Sequence, residues 1–189
     1  MVHWAAARAL KLRDGLQLGL GGDFWLSWKG KRGARTKETF DKLHEKLQAA
    51  RTKPHIILLH IGTNDVGTTP FHVIREVIRA GLNDVWRLVP EARIIWSDVI
   101  PRRHYASARS AKGADRLRKK LNRFARRWIV HNGGGFISHQ ISAHDTELFY
   151  IRDPVHLSST GNDILLQEWK EGIRYYSRQW HQRRASGLR

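Results

Sequence analysis

At 189 residues the chain is long enough for one domain with a substantial core and short for two. With 41% hydrophobic and 27% charged residues it is neither disordered nor fibrous, and the lack of cysteine excludes disulfides, thiolate nucleophiles and cysteine-based zinc sites. Lys and Arg total 34 against 17 Asp and Glu, a formal net charge of +17 that favours polyanionic partners and leaves the fold open.

In chain order, Val2–Leu12 reads as a helix and Phe24–Trp28 as a short apolar strand. A helix over Thr36–Ala50 leads to the strand His55–Ile61. Its continuous run His-Ile-Ile-Leu-Leu-His-Ile is what burial on both faces of a parallel sheet demands. Then follow a helix over Pro70–Leu88, a strand over Ala92–Ile100, a helix over Ala114–His131, a strand over Gly135–Ser138 and a helix over Ser159–Trp180. Pro54 and Pro101 punctuate strand edges, and Gly133 to Gly135 form a tight loop. This alternation predicts an α/β domain over residues 1–180, with a basic tail at 181–189. The chain opens on a helix where a doubly wound domain opens on a strand. There is no basic, apolar leader at the start, and no apolar run long enough to span a bilayer, which points to an intracellular location.

Two short stretches carry chemistry. Ile61-Gly62-Thr63-Asn64-Asp65 follows the strand at His55–Ile61, where ligands bind in open α/β sheets. An Asn amide there can donate to a developing oxyanion, although Asn64 or Asp65 could equally cap a loop. Asp153-Pro154-Val155-His156-Leu157-Ser158 places an acid three residues before a histidine, close enough to fix the imidazole tautomer. Ser158 or Ser159 is then the N-cap of the last helix.

Together these stretches resemble the SGNH/GDSL-type ester hydrolases, over nearly the whole chain. The resemblance implies a flavodoxin-like three-layer α/β/α parallel sheet and hydrolysis of a carboxylic or acetyl ester without a metal or cofactor. It assigns His156 as general base and Asp153 as its orienting partner. The oxyanion donors are Asn64 and a glycine of the block Trp28-Lys29-Gly30-Lys31-Arg32-Gly33, with Gly33 favoured and Gly30 the alternative. The stretch Trp96–Arg103 is in addition similar to esterase-like domains of vertebrate retroelement-derived proteins.

The family's nucleophile block has no match. No Gly-Asp-Ser or Gly-x-Ser turn occurs near the start, and Val2-His3-Trp4-Ala5 reads as the helix that follows such a turn. Ser27 and Ser97 fall within strands, and Ser158 and Ser159 cap a helix. The expectation is a chain without its first central strand and nucleophile. It is either a fragment begun at its single methionine, Met1, or a catalytically silent form, and without that strand it need not fold alone.

The charge is concentrated. Arg102 to Arg127 holds eleven Lys or Arg against Asp115 alone. Arg116, Lys120, Arg123 and Arg127 recur at helical spacing beside the apolar stripe Leu117, Leu121, Phe124 and Trp128. Lys29, Lys31, Arg32, Arg35 and Lys37 surround the glycine block, and Arg174, Arg178, Arg183, Arg184 and Arg189 extend the C-terminal end. A solvated helix face accounts for the stripe; so does an inactive esterase-fold module that holds nucleic acid or another polyanion. Of the 11 histidines, His55 and His60 lie on one strand facing opposite ways. His139, His144 and Asp145 share a loop without the spacing of a metal site.

Overall fold

The computed structural model describes residues 1–22, 24–102, 104, 105, 108, 110–142, 146–151 and 155–185, with no side chains described at 146, 147, 180 and 183–185. The elements are α1 (Val2–Ala9), a 3₁₀ turn (Gly15–Gln17), α2 (Thr36–Ala49), β1 (Ile56–Leu59), α3 (Phe71–Leu88), β2 (Arg93–Ser97), α4 (Ala111–His131), β3 (Gly135–Ile137), α5 (Thr146–Phe149) and α6 (Ser159–Ala185). They form two compact units, one of residues 33–136 and one of residues 1–32 with 137–189. No helix among the described residues is long and apolar enough to cross a membrane.

In the 33–136 unit, β1 and β2 run parallel, from Ile56 opposite Arg93 to Leu59 opposite Trp96. The sheet order is β1-β2-β3. Parallel neighbours need a crossover, and α3 supplies it. All five residues of β2 are buried, whereas β1 alternates between half-buried and buried. This departs from the burial on both faces expected of the His55–Ile61 strand. The sheet order places β1 at an edge and β2 between two neighbours. Leu121, Ala125 and Ile129 of α4 and Ile74, Ile78 and Leu82 of α3 supply much of the core. Asn122, itself buried, ties α4 to the end of β2: its Oδ1 accepts from the Val99 N–H at 2.9 Å and its Nδ2 donates to the Val99 carbonyl at 3.0 Å. At Gly81 of α3, an added Cβ would overlap the Phe40 ring of α2. Ser110 caps α4, accepting from the Gly113 N–H at 3.0 Å, so this helix begins three residues before the predicted Ala114.

In the other unit, α1 buries Ala5 and Ala9 completely and packs on α6. Arg8 donates Nε and Nη2 to the two carboxylate oxygens of Asp163, at 2.7 and 2.6 Å. That forked bond raises the Arg8 pKa above its ordinary value. Ser158 is the N-cap of α6, its Oγ accepting from the Gly161 N–H at 3.0 Å, and α6 continues past the predicted Trp180 to Ala185.

The predicted strand at Phe24–Trp28 does not form. An extended segment becomes a strand only where a neighbouring strand receives its hydrogen bonds. Here the Leu26 N–H donates to Gln17 Oε1 at 2.8 Å, Gln17 Nε2 donates to the Leu26 carbonyl at 3.3 Å, and Trp28 Nε1 donates to the Leu16 carbonyl at 2.8 Å. The 3₁₀ turn thus takes the place of a strand neighbour, and the Trp28 ring packs near Trp169.

Candidate active site

The turn after β1 lies in the 33–136 unit. Gly62 has φ +100, and a Cβ there would sit 2.8 Å from Leu121 Cδ2, so the turn needs glycine on both counts. Asn64 follows, half-buried, with its amide held at both ends. Nδ2 donates to the Ala34 carbonyl at 2.8 Å, and Oδ1 accepts from Arg102 Nη2 at 3.0 Å. Arg102 is held in turn by its own backbone, whose N–H donates to the hydroxyl of buried Tyr105 at 3.2 Å. Burial pushes that hydroxyl's pKa up, so the phenol stays neutral.

Asp65 caps the start of α2, 29 residues away in sequence, instead of its own loop. Its Oδ2 accepts from the Thr36 N–H at 2.9 Å and from Thr36 Oγ1 at 2.7 Å, at the first residue of α2. A carboxylate suits the positive end of a helix dipole. The contact also fastens the Asn64 turn to the loop that carries Gly33. Gly33 is exposed, has φ +70 and has open space where a side chain would project. At Gly30 a Cβ would meet the His3 backbone N at 2.7 Å, so that glycine serves packing against α1.

His156 belongs to the other unit. Its backbone is set by an isolated antiparallel bridge between Tyr150 and Leu157, and its carbonyl accepts from the Ile151 N–H at 3.2 Å. The imidazole meets the Trp4 ring edge to face at 5.3 Å between centroids, and the Arg32 guanidinium lies 5.6 Å from the Trp4 centroid. Asp153 lies outside the described residues, as do Arg103, Arg189, His144 and Asp145 and the side chains of Arg183 and Arg184. His139 Nδ1 lies 2.6 Å from Glu168 Oε2, and no cluster of metal-ligating side chains occurs among the described residues.

The serines weighed as nucleophiles are otherwise engaged or poorly placed. Ser97 is completely buried in β2 with its Oγ 2.9 Å from His60 Nδ1, a serine–histidine pair closed to any substrate outside the core. Ser158 donates to the Leu148 carbonyl at 2.6 Å while capping α6. Ser27 is exposed on the segment held by Gln17, and Ser159 begins α6.

On α4 the cations divide by face. Arg118 and Lys119 pair with Asp115, and Arg126 pairs with Asp98. Arg116, Lys120, Arg123 and Arg127 are exposed, and among the described residues none of them pairs with an acid. At positions i, i+4, i+7 and i+11 they follow one line about 16 Å long. Beside it, Lys120 Nζ lies 4.2 Å from the centroid of Phe71, whose ring contacts Phe124, which stacks on Trp128.

Residues 4–164 match the GDSL-like lipase/acylhydrolase family. The chain belongs to this family. No curated protein matches it. Among solved structures, a GDSL-like lipase from Bacteroides thetaiotaomicron aligns with a TM-score of 0.66 at 18% identity, covering 78% of this chain and 75% of its own. The Clostridium thermocellum family 3 carbohydrate esterase aligns with a TM-score of 0.58 at 14% identity, covering 81% and 71%. The esterase EstA of Pseudoalteromonas aligns with a TM-score of 0.59 at 13% identity, covering 77% and 74%. These likenesses establish the α/β fold of GDSL-like hydrolases that the two sequence stretches implied. Sequence reasoning passed over Arg102, Trp4 and the pairing of Asp65 with Thr36. Arg102 stood in the cationic run and in the Trp96–Arg103 stretch, and nothing local ties it to Asn64.

Proposed function

We propose that this GDSL-like chain carries the oxyanion donors and the general base of a serine ester hydrolase acting on a small carboxylic or acetyl ester. The observation that carries the reading is the Asn64 amide, fixed at the end of β1 beside the Gly33 loop inside the family match. In this reading the Gly33 N–H and the Asn64 Nδ2–H stabilise the tetrahedral oxyanion. His156 takes the nucleophile's proton and returns it to the leaving alcohol, and Asp153 orients the imidazole. The nucleophile is a serine on a Gly-x-Ser turn N-terminal to Met1. The test is hydrolysis of a short-chain nitrophenyl ester by the chain joined to its upstream-encoded residues. Turnover that collapses on His156→Ala supports the reading, and turnover indifferent to that change refutes it.

A second reading concerns the α4 stripe. Four exposed cations that pair with no acid among the described residues, lined by Phe71 and Phe124, suit a nucleic-acid backbone. With four phosphate contacts, binding to duplex DNA falls with a log–log salt slope of about −3.6. Changing Arg116, Lys120, Arg123 and Arg127 together to Gln removes that slope. Binding that is undetectable, or independent of salt, removes the reading.

A further inference from the structure

We infer that Arg102 is a positioning residue for the oxyanion donor: it fixes which way the Asn64 amide faces and strengthens its free N–H. The inference rests on the ester-hydrolase reading of Asn64. Its geometry lies wholly within residues 33–136.

A guanidinium only donates hydrogen bonds, and a peptide carbonyl only accepts them. Arg102 Nη2 at 3.0 Å must therefore face the amide oxygen of Asn64, and the Ala34 carbonyl at 2.8 Å must face its nitrogen. The two partners together allow one orientation of the amide. Of the two Nδ2 hydrogens, one goes to Ala34; the second diverges from it in the amide plane and is the one that can meet an oxyanion. With Ala34 alone the side chain has a single anchor and can swing about it.

Arg102 adds charge as well as place. A cation bonded to Oδ1 draws electron density out of the amide, which polarises the N–H bonds and makes each a stronger donor. The effect grows as negative charge develops on the substrate oxygen, so it belongs to the transition state more than to the bound ester. In this role Arg102 acts through Asn64, its Nη2 meeting the amide oxygen at 3.0 Å. The bond from its backbone N–H to Tyr105 Oη at 3.2 Å anchors the main chain from which the guanidinium reaches Asn64.

Two measurements test this. In the 189-residue chain, the Asn64 side-chain amide protons are read by NMR in the parent, Arg102→Lys and Arg102→Ala. We expect Arg102→Ala to move both resonances and speed their exchange with water, and Arg102→Lys to restore part of the difference. In the chain carrying its upstream serine, Arg102→Ala should lower kcat by about tenfold with KM changed less than about twofold. That loss should vanish when Asn64 is already Ala. Unmoved Asn64 amide signals overturn the proposal, and so does a kcat loss that persists in full on the Asn64→Ala background, which marks a structural role. If Asn64→Ala itself leaves hydrolysis intact, the oxyanion reading fails separately. Should the extended chain show no hydrolysis at all, the amide signals alone decide whether Arg102 positions Asn64.

Discussion

Removal of the Asp65 carboxylate is the sharpest structural perturbation available beside the site. Asp65 and Thr36 are both buried, at 4% and 1% exposure, and two hydrogen bonds join them. Asp65→Ala strands a backbone N–H and a hydroxyl in the interior, each costing about 1–3 kcal/mol. It also removes a charge at the start of α2 that contributes about 0.3–1 kcal/mol. The expected loss is about 3–5 kcal/mol, a large share of the 5–15 kcal/mol typical of a whole domain. Urea unfolding followed by tryptophan fluorescence reads it directly. For a slope of about 2 kcal/mol/M, the midpoint falls by roughly 1.5–2.5 M with the slope itself unchanged. Asp65→Asn keeps an acceptor and loses the charge, and should cost about 1–2 kcal/mol. Thr36→Val added to Asp65→Ala removes one stranded donor, so the double variant should cost less than the sum of the singles. A midpoint for Asp65→Ala within about 0.5 M of the parent, on the same slope of about 2 kcal/mol/M, would refute the view that this contact fastens the two loops.

Other outcomes follow from the same structure. Gly81→Ala should destabilise by about 1–3 kcal/mol despite alanine's better helix propensity, because its Cβ overlaps the Phe40 ring; Phe40→Leu should recover part of that loss in thermal unfolding. Burial raises the Asp115 pKa, but hydrogen bonds from Lys119 and Arg118 outweigh it and hold the carboxyl below its ordinary value. A lowered folded-state pKa stabilises above the unfolded value of about 3.9 and is lost as pH falls through the folded one. The deficit of Asp115→Asn, about 0.3–1 kcal/mol at pH 7, should therefore fade on acidification below pH 4. Trp4→Ala removes the ring against which His156 rests. A lost aromatic contact of about 0.5–1.5 kcal/mol should appear as a lower unfolding midpoint of the 189-residue chain in denaturant titration.

The helices were largely legible in the sequence because amphipathic periodicity is local. Those over α2, α3, α4 and α6 begin within about three residues of where expected. The turn bearing Asn64 was legible for a related reason, since a short apolar run followed by Gly-x-Asn marks a strand end. What failed was anything that depends on a distant partner. Phe24–Trp28 has the composition of a strand, yet Gln17 takes its hydrogen bonds. The relative burial of β1 and β2 follows from sheet order, which composition does not encode. Asp65 finds Thr36 across 29 residues, and Asn64 finds Arg102 across 38, each separation spanned only by the folded chain.

The central claim is that Asn64 donates to an oxyanion formed during ester hydrolysis. The most direct measurement is kcat for a nitrophenyl ester with the serine-bearing chain and its Asn64→Ala variant, compared at equal folded fraction. A loss of about 10²- to 10³-fold in kcat, with KM little changed, is the predicted result. Equal kcat for the two proteins would contradict it.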